Sequence, residues 1–396
     1  MIVRWIGVDC HVTTTTVAIL NEGEAKARHR RFNNTEEAWV AFCRDEVDAT
    51  THLVLEASAG IWPVYDRLVS AGAAEVLVAH PLRVKAIAAA RVKTDRVDAR
   101  TLALLGRGGL IPAVWVPSPQ ERLLRSLVRR RVSLARAATA QKNQTHAVLR
   151  RQGVREPDDA LWTAAGQHWL AQQVLPVSEA LIVTGARELL EQLDAQQQAL
   201  EAQMATIVRA GDPAFYADID RLLTVPGVGL LVAVATRARL GDVRRFRNGR
   251  MAAAYVGLTP RVHRSAETQR NGRITKEGDR ALRWLLIQAA WATIRTRRGR
   301  FFRVFERLSA RKGTKVAIVA VARRLLILLF NLLRTKTSFR GVRATTVLRK
   351  QKQLRGTPVL ASSPRRERRP GAPRSSKERA SRSHKQKEEV MTARAR

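Results

Sequence analysis

The chain has 396 residues, room for two or three domains with cores of their own, and its 45% apolar content excludes an intrinsically disordered protein. Seventy-one Lys and Arg against 34 Asp and Glu give a formal charge of +37, which sets the chain apart from ordinary soluble enzymes and points to a polyanionic partner, nucleic acid before membrane. Cys10 and Cys43 are the two cysteines, too few for a disulfide framework or a Cys-based zinc site.

In chain order, residues 1–9 carry an arginine within an apolar run and no cleavage pattern, so no signal peptide is expected. Residues 2–8 read as a buried strand ending at Asp9, 13–20 as a second, β-branched strand, and 26–32 as a third. A helical stretch over 35–45 leads to the short apolar strand 52–55, which ends at Glu56; a helix near 61–70 and a strand at 76–79 come next. Strands first, then alternation with helices, predict an α/β layer structure. Asp9 and Glu56 fall where a strand stops, the place where sites in open α/β sheets collect. A lone carboxylate there is more often a turn residue or helix cap.

The segment Lys93-Thr94-Asp95-Arg96-Val97-Asp98-Ala99-Arg100 opens a run whose apolar spacing, continuing through Leu105, predicts a helix. Residues three apart share a helix face, with Cβ atoms roughly 5–6 Å from each other, so Asp95 and Asp98 present two carboxylates to one point. Like charges that close call for a cation between them. Mg²⁺ takes oxygen ligands, and Lys93, Arg96 and Arg100 around the pair suit a phosphate-bearing substrate. In isolation such a pair is more often a solvated helix face. Two carboxylates from strand ends and two from a later helix, however, describe the acidic centre of an RNase H-like nuclease fold, which holds two metals roughly 3.5–4 Å apart.

Beyond Gly109 the pattern changes. Residues 111–119 form a Pro-bearing connector, and 120–152 read as one long helix with Leu123, Leu124, Leu127 and Val128 on an apolar side. Its other side carries Arg129, Arg130, Arg131 and further cations, a face able to track a phosphate backbone or simply to be solvated. A looser stretch, 153–185, precedes a heptad over 188–208 built on Leu190, Leu193, Gln197, Leu200, Met204 and Ile207. Three heptads are marginal for an independent coiled coil, so pairing within the chain competes with pairing between chains; the reading leans toward self-association.

From Arg221 the chain reads as a helix-hairpin-helix, in which the glycines of Pro226-Gly227-Val228-Gly229 let backbone N–H groups approach a phosphate at a helix N-terminus. Residues 261–276 read as a polar loop holding Arg261, Arg264, Arg270, Arg273 and Lys276, and leading into a helix from Asp279. Ser265 lies in that loop, and by its chemistry alone it is a loop serine, since no general base is identifiable from spacing. The apolar run 325–333 is too short to span a bilayer, so a cytoplasmic protein is expected. From Ser362 the chain is rich in Arg, Lys, Ser and Pro, a composition that cannot offset chain entropy by burial.

Together, Gly7-Val8-Asp9, Leu55-Glu56-Ala57, the Lys93 to Ala99 motif, the Pro226 to Gly229 turn and the block from Leu258-Thr259-Pro260 to Gly278 resemble the DEDD insertion-sequence transposases, bridge-RNA-guided serine recombinases. The resemblance covers roughly residues 1–335. It implies a RuvC-like N-terminal domain, Asp9, Glu56, Asp95 and Asp98 as a metal-binding acidic tetrad, and Ser265 as the nucleophile that attacks DNA. It also implies that the tetrad of one protomer is completed by the serine of another, in a dimer or tetramer.

The expected organisation is an α/β RNase H-like (RuvC-like) domain over 1–110, a helical connector with a coiled-coil segment over 111–215, a mainly α transposase domain over 216–337, and a basic disordered tail over 338–396. The expected function is recombination of element ends with target DNA through Mg²⁺, a serine–DNA intermediate and a guide RNA. Two alternatives stand beside it: a RuvC-like structure-specific nuclease that leaves the serine idle, and a non-catalytic nucleic-acid-binding protein whose carboxylates are structural.

Overall fold

Alternation along residues 4–10 decides the layering of the N-terminal part: Ile6 and Val8 point to one face of a sheet and Gly7 to the other. The computed structural model describes residues 3–58, 60–88, 94–157, 161–264, 269–295, 297, 299–341 and 344–356. The chain divides into two units, Met1–Ser118 and Pro119–Arg396.

In the first unit β1 (Arg4–Cys10) is the centre of a five-stranded sheet. β2 (Thr14–Asn21) and β3 (Arg28–Asn33) extend it antiparallel on one side, and β4 (Thr51–Glu56) and β5 (Glu75–Ala79) extend it parallel on the other, in the order β3-β2-β1-β4-β5. The helices are α1 (Glu36–Glu46), α2 (Ile61–Ser70), α3 (Pro81–Ile87) and α4 (Asp95–Arg107). Ile6, Val8, Val17, Leu53 and Leu55 meet Trp39 and Phe42 of α1 and Ile61 and Leu68 of α2 in one core. On the opposite face Val54 and Ala79 pack with Leu102 of α4. The expected α/β layer structure is met element by element; α3 is additional.

α4 lies directly on β1. A Cβ at Gly7 would overlap the Ala99 carbonyl oxygen and come within 2.6 Å of the Ala103 nitrogen, and one at Gly106 would stand 2.7 Å from Val54 Cγ2. Both glycines are therefore required by helix–sheet contact rather than by their own dihedrals. Thr94 caps the helix, its hydroxyl accepting from the Val97 N–H at 3.3 Å, and Asp95 and Asp98 occupy the first turn, where the helix dipole favours negative charge.

The second unit contains α5 (Pro119–Arg151), α6 (Ala164–Ala171), α7 (Val177–Ala210), α8 (Pro213–Leu223), α9 (Leu230–Leu240), a 3₁₀ turn at Val243–Arg245, and α10 (Gly249–Tyr255). The antiparallel strands β6 (Pro260–Arg264) and β7 (Gln269–Ile274) come next, then α11 (Arg280–Ile294), α12 (Gly299–Lys312), α13 (Thr314–Thr335) and α14 (Ala344–Arg355). Leu124, Val128 and Val132 of α5 share one core with Met204, Ala205 and Val208 of α7 and with Phe215, Ile219 and Leu222 of α8. At the other end Val148 and Leu149 meet Val183, so α5 and α7 run antiparallel. Of the heptad positions, Leu193, Gln197 and Met204 are buried on this intrachain partner. α5 and α7 each contribute one end to the core that also holds α8, α9, α11 and α13.

α13 is long and apolar enough to cross a bilayer by length and composition. Here Ile318, Val321, Ala322, Leu325, Leu326, Leu329 and Phe330 are buried in the core of the second unit.

Three segments differ from expectation. Within the looser stretch 153–185 the chain forms α6, and α7 begins at Val177. The arginine-rich polar loop at 261–276 is largely a β-hairpin, residues 260–264 pairing antiparallel with 269–274. The expected tail over 338–396 begins with α14, a docked helix. Leu354 is fully buried, and Lys350 Nζ donates to the Leu223 and Val225 carbonyls at 2.9 and 2.7 Å. The Leu223 carbonyl at the end of α8 lies past the reach of helical N–H groups and takes Lys350 as donor; the Val225 carbonyl, in the turn beyond, also accepts from the Val228 N–H at 3.2 Å. The Arg, Lys, Ser and Pro-rich stretch from Ser362 lies outside the described residues.

Replacing Gly7 by Ala is expected to cost at least about 1–3 kcal/mol, the usual range for overpacking, measured as a lowered urea midpoint. An unchanged midpoint would show that α4 does not depend on contact at Gly7. Burial pushes the Lys350 amine down to about 8, with Arg349 adding to the effect. Its unfolded value is about 10.4, so between the two the unfolded chain binds the extra proton and stability rises with pH. Comparing wild type with Lys350→Met, the free-energy difference is expected to be level below pH 7 and to move in favour of wild type from pH 8 to 10; a pH-independent difference would exclude this linkage.

Candidate metal centre

Parallel pairing of β1 with β4 places Val8 opposite Leu55, so the next residues, Asp9 and Glu56, end neighbouring strands side by side. The contact at Gly7 then brings the first turn of α4 to the same edge. Asp9 is buried, Glu56, Asp95 and Asp98 are half-buried, and His11 is exposed. Histidine Nε2 lies 3.3 Å from Asp9 Oδ2 and 3.4 Å from Asp95 Oδ1. One donor atom from each of Asp9, His11 and Asp95 lies within 4.8 Å of the other two.

Burial pushes the Asp9 carboxyl above the ordinary carboxylate value; His11 draws it back, and the charges of Asp95 and Asp98 push it further up. A buried carboxylate with two further carboxylates close by is suited to a hard divalent cation, which replaces their mutual repulsion by attraction. The donor set therefore fits Mg²⁺ or Mn²⁺. Of the predicted tetrad, the structure brings Asp9 and Asp95 to one point, sets Asp98 close enough to act on Asp9, and puts Glu56 on the adjoining strand end.

His11 was not among the residues predicted from sequence. It lies in the β1–β2 connection, two residues past Asp9, where no spacing rule selects it; its only signal was a metal-binding side-chain type beside a strand-end aspartate. Its backbone is held firmly. The His11 N–H donates to the Thr14 carbonyl at 3.0 Å, and Asn34 Nδ2 donates to the His11 carbonyl at 2.6 Å. The buried Thr15 hydroxyl in turn donates to Asn34 Oδ1 at 2.6 Å.

The predicted nucleic-acid-binding residues have varied surroundings. Lys93 lies outside the described residues. Arg96 and Arg100 are on α4, and after burial itself they are the causes that lower the nearby His29. Arg96 and Arg100 are both exposed. On α5, Arg129 and Arg130 are exposed, whereas Arg131 Nε pairs with Glu201 at 2.8 Å. Its neighbour Arg125 is pushed down to about 10 by burial and donates to the Ala238 carbonyl at 2.8 Å. The basic face of α5 is therefore part surface and part framework.

Gly227 and Gly229 also differ. Gly227 has φ +76°, and a Cβ there would overlap Thr293 Oγ1 and stand 2.6 Å from the Ala289 carbonyl, so its need for glycine comes from α11. Gly229, at the N-cap of α9, faces open space and leaves room for a phosphate. Ser265 lies outside the described residues, in the connection between β6 and β7. The hairpin register sets Arg264 opposite Gln269 and His263 opposite Arg270, so the backbone brings Arg264 and Arg270 to the end that carries the serine. Arg261 lies on β6 and Arg273 on β7, toward the other end of the hairpin, and Lys276 stands just beyond it.

Comparison with known proteins spans both units. Residues 6–152 match the transposase family model for the DEDD domain of the IS110 type, and residues 219–304 match the Transposase IS116/IS110/IS902 family. The chain is 34% identical over 260 residues to a Pseudomonas aeruginosa protein described as "Probable family 20 transposase", covering 63% of this chain and 75% of that one. It is 26% identical over 259 residues to the Coxiella burnetii "Transposase for insertion sequence element IS1111A", covering 63% and 68%. It is also 26% identical over 298 residues to the Moraxella lacunata "Pilin gene-inverting protein", covering 74% and 82%. With both units matched, and three quarters of a relative aligned at about one residue in three, the chain belongs to the IS116/IS110/IS902 family of insertion-sequence transposases.

Proposed function

We propose that the chain cuts and rejoins DNA through an RNase H-like acidic centre and a serine nucleophile, as a guided recombinase of an insertion sequence. The observation that carries the reading is the convergence of Asp9 and Asp95 at one point, with Asp98 near and Glu56 on the neighbouring strand end, on a sheet ordered β3-β2-β1-β4-β5. A bound divalent cation would supply charge stabilisation at phosphorus and lower the proton affinity of an oxygen ligand. Asp9 and Asp95 would hold it, with Glu56 and Asp98 completing the acidic shell. Arg96 and Arg100, on the same helix as Asp95, would fix the phosphate backbone beside it.

Ser265 acts as nucleophile in this reading. Its oxygen forms a bond to phosphorus, the bond to the sugar oxygen breaks, and that oxygen leaves with a proton. The phosphodiester is conserved as a serine ester, so the strand rejoins without an external energy source. One or more of Arg261, Arg264, Arg270 and Arg273 would balance charge on the phosphorus, Arg264 and Arg270 standing nearest the serine end of the hairpin by register. The gene inversion named for the Moraxella relative supports cutting with rejoining over cutting alone.

Donor and target DNA are the substrates. The excess positive charge and the exposed Arg129 and Arg130 suit a second polyanion, which we assign to a guide RNA that sets the sites joined. The protein acts in the cytoplasm as a homo-oligomer, a dimer or tetramer, in which the serine of one copy serves the acidic centre of another.

Asp9→Asn and Asp95→Asn are each expected to reduce strand joining at least about a hundredfold, beyond the 10–100-fold typical of changes outside the ligand shell, with circular dichroism unchanged. Full joining by Asp95→Asn in Mg²⁺ would remove the acidic centre from the mechanism. Ser265→Ala should abolish covalent protein–DNA adduct on labelled element ends while retaining DNA and RNA binding in gel shift. An adduct formed by Ser265→Ala would move the nucleophile elsewhere, and water-terminated ends from wild type would favour a nuclease.

A further inference from the structure

We infer that His11 is a ligand of the acidic centre, giving it a mixed nitrogen and oxygen donor set that takes a first-row transition cation, for which Mn²⁺ is the probe, in preference to Mg²⁺. The inference rests on the metal-dependent reading above and adds to it the identity of one ligand and the class of ion.

Three observations carry it. The first is spacing: with metal–ligand bonds of about 2.0–2.1 Å, neighbouring donor atoms around a small cation stand roughly 3.0–3.4 Å apart. His11 Nε2 stands 3.3 Å from Asp9 Oδ2 and 3.4 Å from Asp95 Oδ1. The second is anchoring. A histidine serving only as a surface counter-ion needs no fixed backbone, yet His11 is tied at its N–H by Thr14 and at its carbonyl by Asn34, which is itself held by buried Thr15. Asn34 also reaches the Val12 carbonyl at 3.3 Å, so one side chain from the end of β3 sets the whole β1–β2 connection. A site whose donors must arrive together is built in this way, with its first ligands pre-positioned by the groups behind them.

The third observation is chemical. Carboxylates bind Mg²⁺, Ca²⁺ and Mn²⁺, whereas imidazole is a poor partner for Mg²⁺ and a good one for the later first-row ions. A nitrogen donor beside two aspartates therefore shifts the preference along that row. Mn²⁺ satisfies both kinds of donor.

The test uses the full-length chain and the ions themselves. Mn²⁺ is titrated by calorimetry and the bound ion is observed by pulsed electron paramagnetic resonance, in wild type, His11→Ala and Asp9→Asn. The His11 side chain is 55% exposed, so its truncation leaves the fold intact. Expected are nitrogen coupling to Mn²⁺ in wild type, its loss in His11→Ala with Mn²⁺ affinity weakened at least about tenfold, and Mg²⁺ affinity moved less than about twofold. Asp9→Asn should lose both ions. Mn²⁺ that depends on Asp9 but shows no nitrogen coupling, or that binds His11→Ala as tightly as wild type, overturns the role of His11 and leaves the metal-dependent reading standing. Failure of wild type to bind either ion overturns both.

Discussion

The close contact of α4 with β1 at Gly7 is the constraint on which the candidate centre depends. β1 alone offers one carboxylate at its end, and α4 alone offers two on a solvated face. With backbone against backbone at Ala99 and Ala103, and with Gly106 admitting Val54, the helix can lie nowhere else, and its first turn projects over the strand ends. The alternation of β1 adds a second condition: the face that carries Gly7 is separate from the face on which Ile6 and Val8 join the core with α1 and α2. Core formation and site formation are thus assigned to opposite sides of one strand.

The surplus of positive charge is not all available to a partner. In the second unit the buried Asp218 receives Arg221, Arg237 and Lys336, each at 2.9 Å, and Arg237 also reaches the buried Glu121 at 2.8 Å. These pairs join α5, α8, α9 and the C-terminal end of α13. A buried carboxylate is tolerated only when such partners replace its water, which makes these arginines framework rather than surface. Arg125 and Arg131 belong to the same class. The cations left exposed, among them Arg100, Arg129 and Arg130, are the ones on which nucleic-acid binding can draw.

Anchoring of short segments by single side chains recurs in the molecule. Asn34 holds the connection that carries His11, Thr293 donates to the Pro226 carbonyl behind Gly227, and Lys350 closes the end of α8. In each case the segment has too little apolar surface to fix itself, and a donor meets a carbonyl that secondary structure leaves without a partner. The turn between α8 and α9 is held from two sides in this way, by α11 and by α14.

The period-2 and period-3.6 patterns of the first 110 residues were enough to locate its strands and every helix but α3, and strand-end aspartate and glutamate with a later D-x-x-D were enough to nominate the tetrad, because both signals are local. His11 was illegible, since its role comes from an Asn34 contact 23 residues away and from carboxylates on two other elements. The pairing of α7 with α5 was equally undecided by the heptad, which fits an intrachain or an interchain partner; tertiary packing at Leu124, Val128, Met204 and Val208 chose the former. The arginine-rich segment hid a hairpin, and the basic tail hid α14, because composition averages over the few residues, Leu354 and Lys350, that dock the helix. What the sequence by itself determined was the order of the strands along the first unit, the acidic side chains at its strand ends and a charge suited to DNA, all carried by neighbouring residues. Which face α4 would cover, which arginines would be held inside, and which histidine would stand beside the aspartates were decided only by tertiary structure, because each depends on contacts between residues distant in the chain.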